Sequence, residues 1–329
     1  MILLAIVVAL LLEQVRPPTA RYPVARQLEH WARAVARNVD TGRAQHAWLA
    51  WALVVMLPAL AVAAVHAVLG WLLGWPLALL WSIGVLYLTL GFRQFSHHFT
   101  AIREALEMGD EERARALLAR WQGADVGRVS RSEIVRQVLE QSVLASHRHV
   151  FGVLAWFCVL AVAGLGPAGA VLYRQAERVS RQWRHQPQLP ERSASAVLSY
   201  AARLAWYWID WLPARITALG LAIVGSFEDA IETWRQFAHR FSNPNDGVIL
   251  AAAAGALGVR LGGAAVLRPA PVRPHDGVPA TAGIEPDAGG MPGDLPDPVH
   301  FARVVGLMWR MVALWLLLLV LLTLAHVLG

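Results

Sequence analysis

The sequence predicts an all-α integral membrane protein with about four to five membrane helices, a cytoplasmic helical hairpin and a flexible Pro/Gly-rich linker. Three observations lead there. Several apolar runs are long enough to cross hydrocarbon, which takes about 20 residues of helix. Hydrophobic residues make up 57% of the chain and charged ones 16%, against about 25% charged in an ordinary soluble domain. The chain also carries Trp 15 times, and indoles settle at the headgroup level of a bilayer. The formal net charge is +6 with no lysine in the sequence, so the basic side chains are arginines, suited to anionic lipid or an anionic ligand.

The elements follow in order. Residues 1–46 begin with MILLAIVVALLL, too short to span and without a basic n-region, so a short membrane-inserted or interfacial helix is expected rather than a signal peptide. Residues 47–92 hold two apolar runs, Ala47–Gly70 and Trp71–Phe92, separated by Gly70, Gly74 and Pro76, which reads as a transmembrane hairpin. Residues 93–149 read as cytoplasmic helices. Asp110, Glu111 and Glu112 suit a helix start, and Ser130 or Ser132 suits another. Ile102, Leu106, Ala114, Leu117, Leu118 and Trp121 form the apolar pattern of the first stretch, and Ile134, Val138 and Leu139 face inward in the next.

Residues 150–267 form a membrane-associated core. Val150–Tyr173 is a third candidate span, and Gly164, Gly166, Pro167 and Gly169 would permit a bend. Arginine counting puts the hairpin turn outside and both flanks of the hairpin in the cytoplasm. A single crossing by Val150–Tyr173 would then leave Arg174, Arg178, Arg181 and Arg184 outside, against the rule, whereas re-entry would keep them in. Trp206, Tyr207, Trp208 and Trp211 around Asp210 suggest an interfacial helix that breaks before Pro213. Residues 268–303 are rich in Pro, Gly, Asp and Ala without apolar periodicity and read as a flexible linker. Residues 304–329 form the last span.

Few residues have the spacing of a known chemistry. Cys158 is the single cysteine, which excludes an intrachain disulfide and a cysteine zinc site. His97 with His98, and His147 with His149, sit at spacings that do not share a helix face, so no metal ligand set is expected. HExxH, Walker-type and GxSxG motifs are absent. Asp210 is expected near a helix N-terminus opened by Pro213, with Arg215 offered to an anion. The stretch NPNDGVILAAAAGALGVRLGG, from Asn243 to Gly263, combines turn-formers with small residues and one arginine. Asn245 and Gly247 belong to a capping or ligand-binding turn, the glycines and alanines allow close approach of another backbone, and Arg260 presents a bidentate donor.

These two segments resemble a known family. DWLPARITAL (Asp210–Leu219) and the Asn243–Gly263 stretch are similar to the WxPARLTA and SPNAG…AGALGVRLGG segments of the CobD/CbiB family of membrane proteins. Asn245, Gly247, Gly255, Ala256, Leu257, Gly258, Val259, Arg260, Leu261, Gly262 and Gly263 match in order. The resemblance implies a multi-pass protein of the bacterial inner membrane in cobalamin biosynthesis. Its implied reaction is adenosylcobinamide-phosphate synthesis, amide formation between cobyric acid and aminopropanol or its phosphate. ATP and magnesium are implied cofactors only where that activity is retained. The implied ligand is a corrinoid or other anion held by Asp210, Arg215, Asn245, Gly247 and Arg260. The expected partners are membrane lipids, a corrinoid intermediate and a second copy of the chain, with no nucleic acid.

The acidic motifs of that family are altered. Where ENTxDG is expected stand Leu144, Ala145, Ser146, His147, Arg148 and His149. Where KxxNTLDS is expected stand Arg174, Gln175, Ala176, Glu177, Arg178, Val179, Ser180 and Arg181. At these places the chain is similar to AmpE, a relative proposed to act as an inner-membrane sensor in β-lactamase regulation, which implies a non-enzymatic regulator as the alternative to a synthase.

Overall fold

A computed structural model describes residues 1–15, 23–123, 127, 129–184, 194–263 and 291–328. Among the described residues the regular elements are helical: α1 (Ile2–Val15), α2 (Pro23–Val39), α3 (Ala44–Leu72), α4 (Trp75–Thr89), α5 (Phe92–Glu107), α6 (Glu111–Gln122), α7 (Arg131–Ser146), α8 (Gly152–Val162), α9 (Ala168–Gln182), α10 (Ala196–Val224), α11 (Phe227–Phe237), α12 (Pro244–Leu257) and α13 (His300–Leu328). A wide π-type turn, His147–Phe151, joins α7 to α8 without a break. Among the described residues, three helices are long and apolar enough to cross a membrane: Ala44–Leu72, the continuous run Arg131–Val162, and His300–Ala325. α1 and α4 are apolar but shorter. At 1.5 Å per residue each reaches only about 21–23 Å, short of the hydrocarbon thickness.

The chain divides into two compact units, one of Met1–Gln94, His147–Pro213 and Leu319–Gly329, the other of Phe95–Ser146 and Ala214–Leu318. In the first unit α3 and α4 form the expected hairpin, turned at Gly74 with φ 84°. The indole of Trp81 donates to the carbonyl of Val62 across it at 3.3 Å. α1 packs on α4, and α9 packs on α3, α4 and α8. Leu57, Leu60, Val68 and Trp71 of α3 are exposed, as a lipid-facing surface requires where water-facing apolar area would be penalised.

In the second unit, Asp110 caps α6 by accepting from the Arg113 amide at 2.9 Å. Ser130, not Ser132, caps α7, accepting from the Glu133 amide at 3.3 Å. Ile102, Leu106, Ala114, Leu118, Ile134, Val138 and Leu139 are buried, while Leu117 and Trp121 are only partly so, so the helical periodicity places most of the inward positions of this region. α12 packs along α11, and its residues from Asn245 to Gly255 are buried all round. On α13, exposed Leu317, Leu318, Leu321 and Leu322 again fit a lipid-facing helix.

Three expectations need correction. The apolar helix at the third candidate span runs over Arg131–Val162 rather than Val150–Tyr173, so α7 is continuous with it. The bend falls where the glycines stand: Gly164 and Gly166 adopt φ 80° and φ 56°, a left-handed conformation that glycine permits, and α9 starts afresh at Ala168. α10 does not break before Pro213 but runs through it. Proline has no N–H for the carbonyl four residues back. Here the Trp156 indole donates to that carbonyl, Ile209 O, at 2.9 Å and replaces the missing bond.

The second half of the expected linker is also held in place. The Arg260 amide donates to the Asp294 carbonyl at 3.0 Å, and the Asp294 amide to that of Gly258 at 2.8 Å. Met291 is buried. Residues 268–290 of the linker lie outside the described residues.

Candidate functional site

Helix α10 carries Asp210 into the interior of the first unit, where three polar side chains from distant parts of the chain meet. His147 Nε2 lies 2.9 Å from Asp210 Oδ1, across 63 sequence positions. The Tyr173 hydroxyl donates to the same oxygen at 2.8 Å and lies 3.2 Å from His147 Nε2. All three residues are fully buried. Room for the tyrosine ring comes from Gly152, whose missing side chain would overlap the phenol. His147 opens the π-type turn, a distortion that recurs at functional positions because it re-aims side chains within a helix.

Burial alone would push the Asp210 carboxyl up; the charge and hydrogen bond of His147, with the hydroxyl of Tyr173, outweigh it and hold it below its ordinary value. The Tyr173 phenol moves the other way, driven well up by burial and then by the neighbouring Asp210 charge. Asp210 therefore stays a carboxylate and Tyr173 a neutral donor, which is the charge state the geometry needs. Asp210 Oδ2 is buried without a hydrogen-bond partner.

Beside this network runs a cationic face. Arg174, Arg178 and Arg181 stand at i, i+4 and i+7 on α9, one stripe of the helix. Arg174 Nη1 donates to Glu177 Oε2 at 3.3 Å. Arg181 Nη2 forms an ion pair with Glu177 Oε1 at 2.6 Å. His149 of the π-type turn lies within electrostatic reach of these arginines. Burial, opposed by Glu177 and reinforced by Arg178 and Arg181, pushes the Arg174 guanidinium down to about 10. The segments Leu144–His149 and Arg174–Arg181 thus converge in space.

The other residues singled out in the sequence lie in the second unit. Arg215 Nη1 donates to Asn245 Oδ1 at 3.1 Å. Asn243 caps α12, its side chain accepting from the Asn245 and Asp246 amides at 3.1 and 3.5 Å. A side chain at Gly247 would collide with the Ala238 carbonyl and with Phe241. Arg260 Nε donates to the Gly293 carbonyl at 2.8 Å. Gly258 ends α12 at φ 67°, and in the loop beyond it the Gly262 amide donates to the buried Glu140 carboxylate at 2.6 Å.

Asp210 is not at a helix N-terminus, as the sequence suggested, but in mid-helix, engaged by His147 and Tyr173 rather than by Arg215. Arg215 and Asn245 are brought together; Gly247 is a packing glycine, and Arg260 clasps the segment around Gly293. Sequence reasoning missed Tyr173 and Glu177, and it gave His147 no partner. The available signal was the position of His147 inside an altered motif.

Magnesium-bound nucleotide needs several oxygen ligands at one place. Among the described residues no group of three or more His, Cys, Asp or Glu side chains gathers to hold a metal ion. Of the nearby carboxylates, Asp210 is engaged by His147 and Tyr173, and Glu177 by Arg174 and Arg181. The described residues around this centre do not fit that group.

Fold and site define an all-α membrane protein with a buried polar centre assembled from separate helices. The CobD/Cbib protein family profile matches residues 2–281, and the chain belongs to this family. A cobalamin biosynthesis protein CobD from Stutzerimonas stutzeri is 31% identical over 268 residues, covering 77% of this chain and 81% of the relative. A protein of the same description from Chromobacterium violaceum is 34% identical over 183 residues, 56% of this chain and 55% of the relative. Another from Leptospira interrogans is 29% identical over 196 residues, 58% and 59% of the two chains. No solved structure matches.

Proposed function

We propose that this protein serves cobalamin biosynthesis from the bacterial inner membrane, as a multi-pass relative of the adenosylcobinamide-phosphate synthases. In this reading it recognises an anionic corrinoid and has lost the magnesium–nucleotide chemistry. One observation carries it: arginines and histidines occupy the space where the acidic motifs converge, and the carboxylates there are already paired. Corrinoid recognition is assigned to Arg215 and Asn245, joined at 3.1 Å, with Arg260 nearby in sequence and Gly247 shaping the turn. The family membership supports this assignment, since these residues lie in the segments that resemble it.

Two measurements test the reading. A strain lacking the synthase and fed cobyric acid is expected not to grow on this gene alone; growth would show that the amide-forming activity survives. The purified chain in detergent is expected to bind cobyric acid, read from the corrin absorbance. Arg215→Ala should weaken that binding about tenfold, the equivalent of one charge-assisted hydrogen bond; no binding by the wild-type chain would end the corrinoid assignment. A second reading, an AmpE-like regulator, draws on the same arginine and histidine replacements. It requires that deleting the gene alter β-lactamase induction while corrinoid synthesis stays intact.

A further inference from the structure

The last helix carries its charges at one end only. On α13, Arg303 and Arg310 precede a run from Met311 to Leu328 that contains no Asp, Glu, Lys or Arg. At 1.5 Å per residue that run reaches about 27 Å, close to the thickness of the hydrocarbon layer. The boundary between headgroups and hydrocarbon therefore falls near Arg310. Trp309, half-exposed beside it, is the residue type that settles at that level.

One face of α13 is ordered along its length as a phospholipid is, charge first and hydrocarbon after. Positions 303, 306, 310, 314 and 317 recur at intervals of three and four and share a stripe. Arg303 and Arg310 are exposed. Between them stands Gly306, where an added Cβ would meet nothing within 4 Å. No packing contact asks for glycine there, and glycine weakens a helix interior; what it leaves is a notch between two cations. Arg310 is fixed in place, Nη1 donating to the Val224 carbonyl at the end of α10 at 2.8 Å and Nε to the Gly306 carbonyl at 3.4 Å. Backbone carbonyls orient a guanidinium without cancelling its charge. Among the described residues neither arginine is ion-paired to a carboxylate. Further along the stripe Leu314 is half-buried and Leu317 exposed. α10 meets α13 here, since a Cβ at Gly220 would overlap Met311, and Leu219 and Ile223 add exposed apolar area on that neighbour.

We propose that this face of α13 binds one acidic glycerophospholipid, its headgroup phosphate over Gly306 between Arg303 and Arg310 and an acyl chain along Leu314 and Leu317. Guanidinium groups match phosphate oxygens with paired N–H donors. Cations at the hydrocarbon boundary favour anionic lipid, whereas a zwitterionic headgroup brings a cation of its own that the two arginines repel. The site lies within the second unit and does not rest on the corrinoid reading.

The test uses the full chain in detergent, supplied with phosphatidylglycerol or phosphatidylcholine. Native mass spectrometry counts the lipids retained, and thermal unfolding reads their effect. One phosphatidylglycerol should be held in preference to phosphatidylcholine and should raise the melting temperature. Arg303→Gln should weaken its retention about fivefold, the loss of one cation at a lipid surface. Gly306→Leu meets no neighbouring atom at its Cβ, so it should fold as well as the wild-type chain in detergent alone while filling the notch and losing the preference. Should Gly306→Leu fail to fold, Arg303→Gln at its exposed position carries the test. Equal retention of the two lipids by the wild-type chain, or an undiminished preference in either folded variant, would overturn the proposal. Displacement of the lipid by an equal concentration of glycerol 3-phosphate would overturn it too, because the acyl chain would then contribute nothing.

Discussion

The buried polar network of the first unit and the small-residue helix of the second reach the same end, a dense interior, by opposite means. Around Asp210 the interior is held by directed bonds between residues far apart in sequence, His147, Tyr173 and Asp210. Along α12 it is held by the absence of side chains: at Gly255 a Cβ would run into the Asp229 carbonyl, and at Gly225 into Ala256. A directed network fails when one partner is removed, because the others remain buried and unsatisfied. A close-packed helix fails when something is added, because neighbouring backbone cannot move aside.

That contrast can be broken by substitution. The largest effect is expected from Asp210→Ala, which removes the carboxylate oxygen that His147 and Tyr173 share and should cost about 3–5 kcal/mol, the range for breaking a buried charged pair. Thermal unfolding in detergent measures it, and a loss no larger than that of a surface variant would show that the network holds nothing together. Next comes Gly255→Val, at about 3 kcal/mol, the upper end for overpacking. Gly255→Ala should already be destabilising, and a neutral result would mean that α11 and α12 are less closely packed than described.

Trp156→Phe should cost about 2 kcal/mol, because Ile209 O then has neither the proline N–H nor the indole. The sharper form is a double variant: with Pro213→Ala present, an amide returns to that carbonyl and the penalty of Trp156→Phe should shrink. The smallest effect is expected from Gly258→Ala, at about 1 kcal/mol, from left-handed backbone strain alone, since nothing lies within 4 Å of the position of the added carbon. An unchanged melting temperature in that variant would mean that the turn relaxes its conformation.

Much of the second unit was legible in sequence for the same reason that it resists additions. Its inward positions follow helical periodicity, from Ile102 through Leu139, and the glycines and alanines of α12 are contiguous. Arg215 and Asn245 were both singled out from their segments, though not as partners. The first unit was read less well. Pro213 was taken as a break, since the rule for proline is local, while its exception depends on an indole 53 positions away. The helix at the third candidate span ends earlier than its apolar run, which continues through Gly164 and Gly166 into α9. Glu177 carried no signal of its own in the sequence, and only the packing of α9 buries it.

The sequence by itself determined that this chain is helical and membrane-bound and that it belongs to the CobD/CbiB family. Apolar runs, turn residues and motif order are properties of neighbours along the chain, so they can be read there. Tertiary structure alone decided that His147, Tyr173 and Asp210 meet, and that the arginines of α9 line a partly buried face. Hydrogen bonds and ion pairs act over a few ångströms. Which groups come within that reach is settled by how the helices pack.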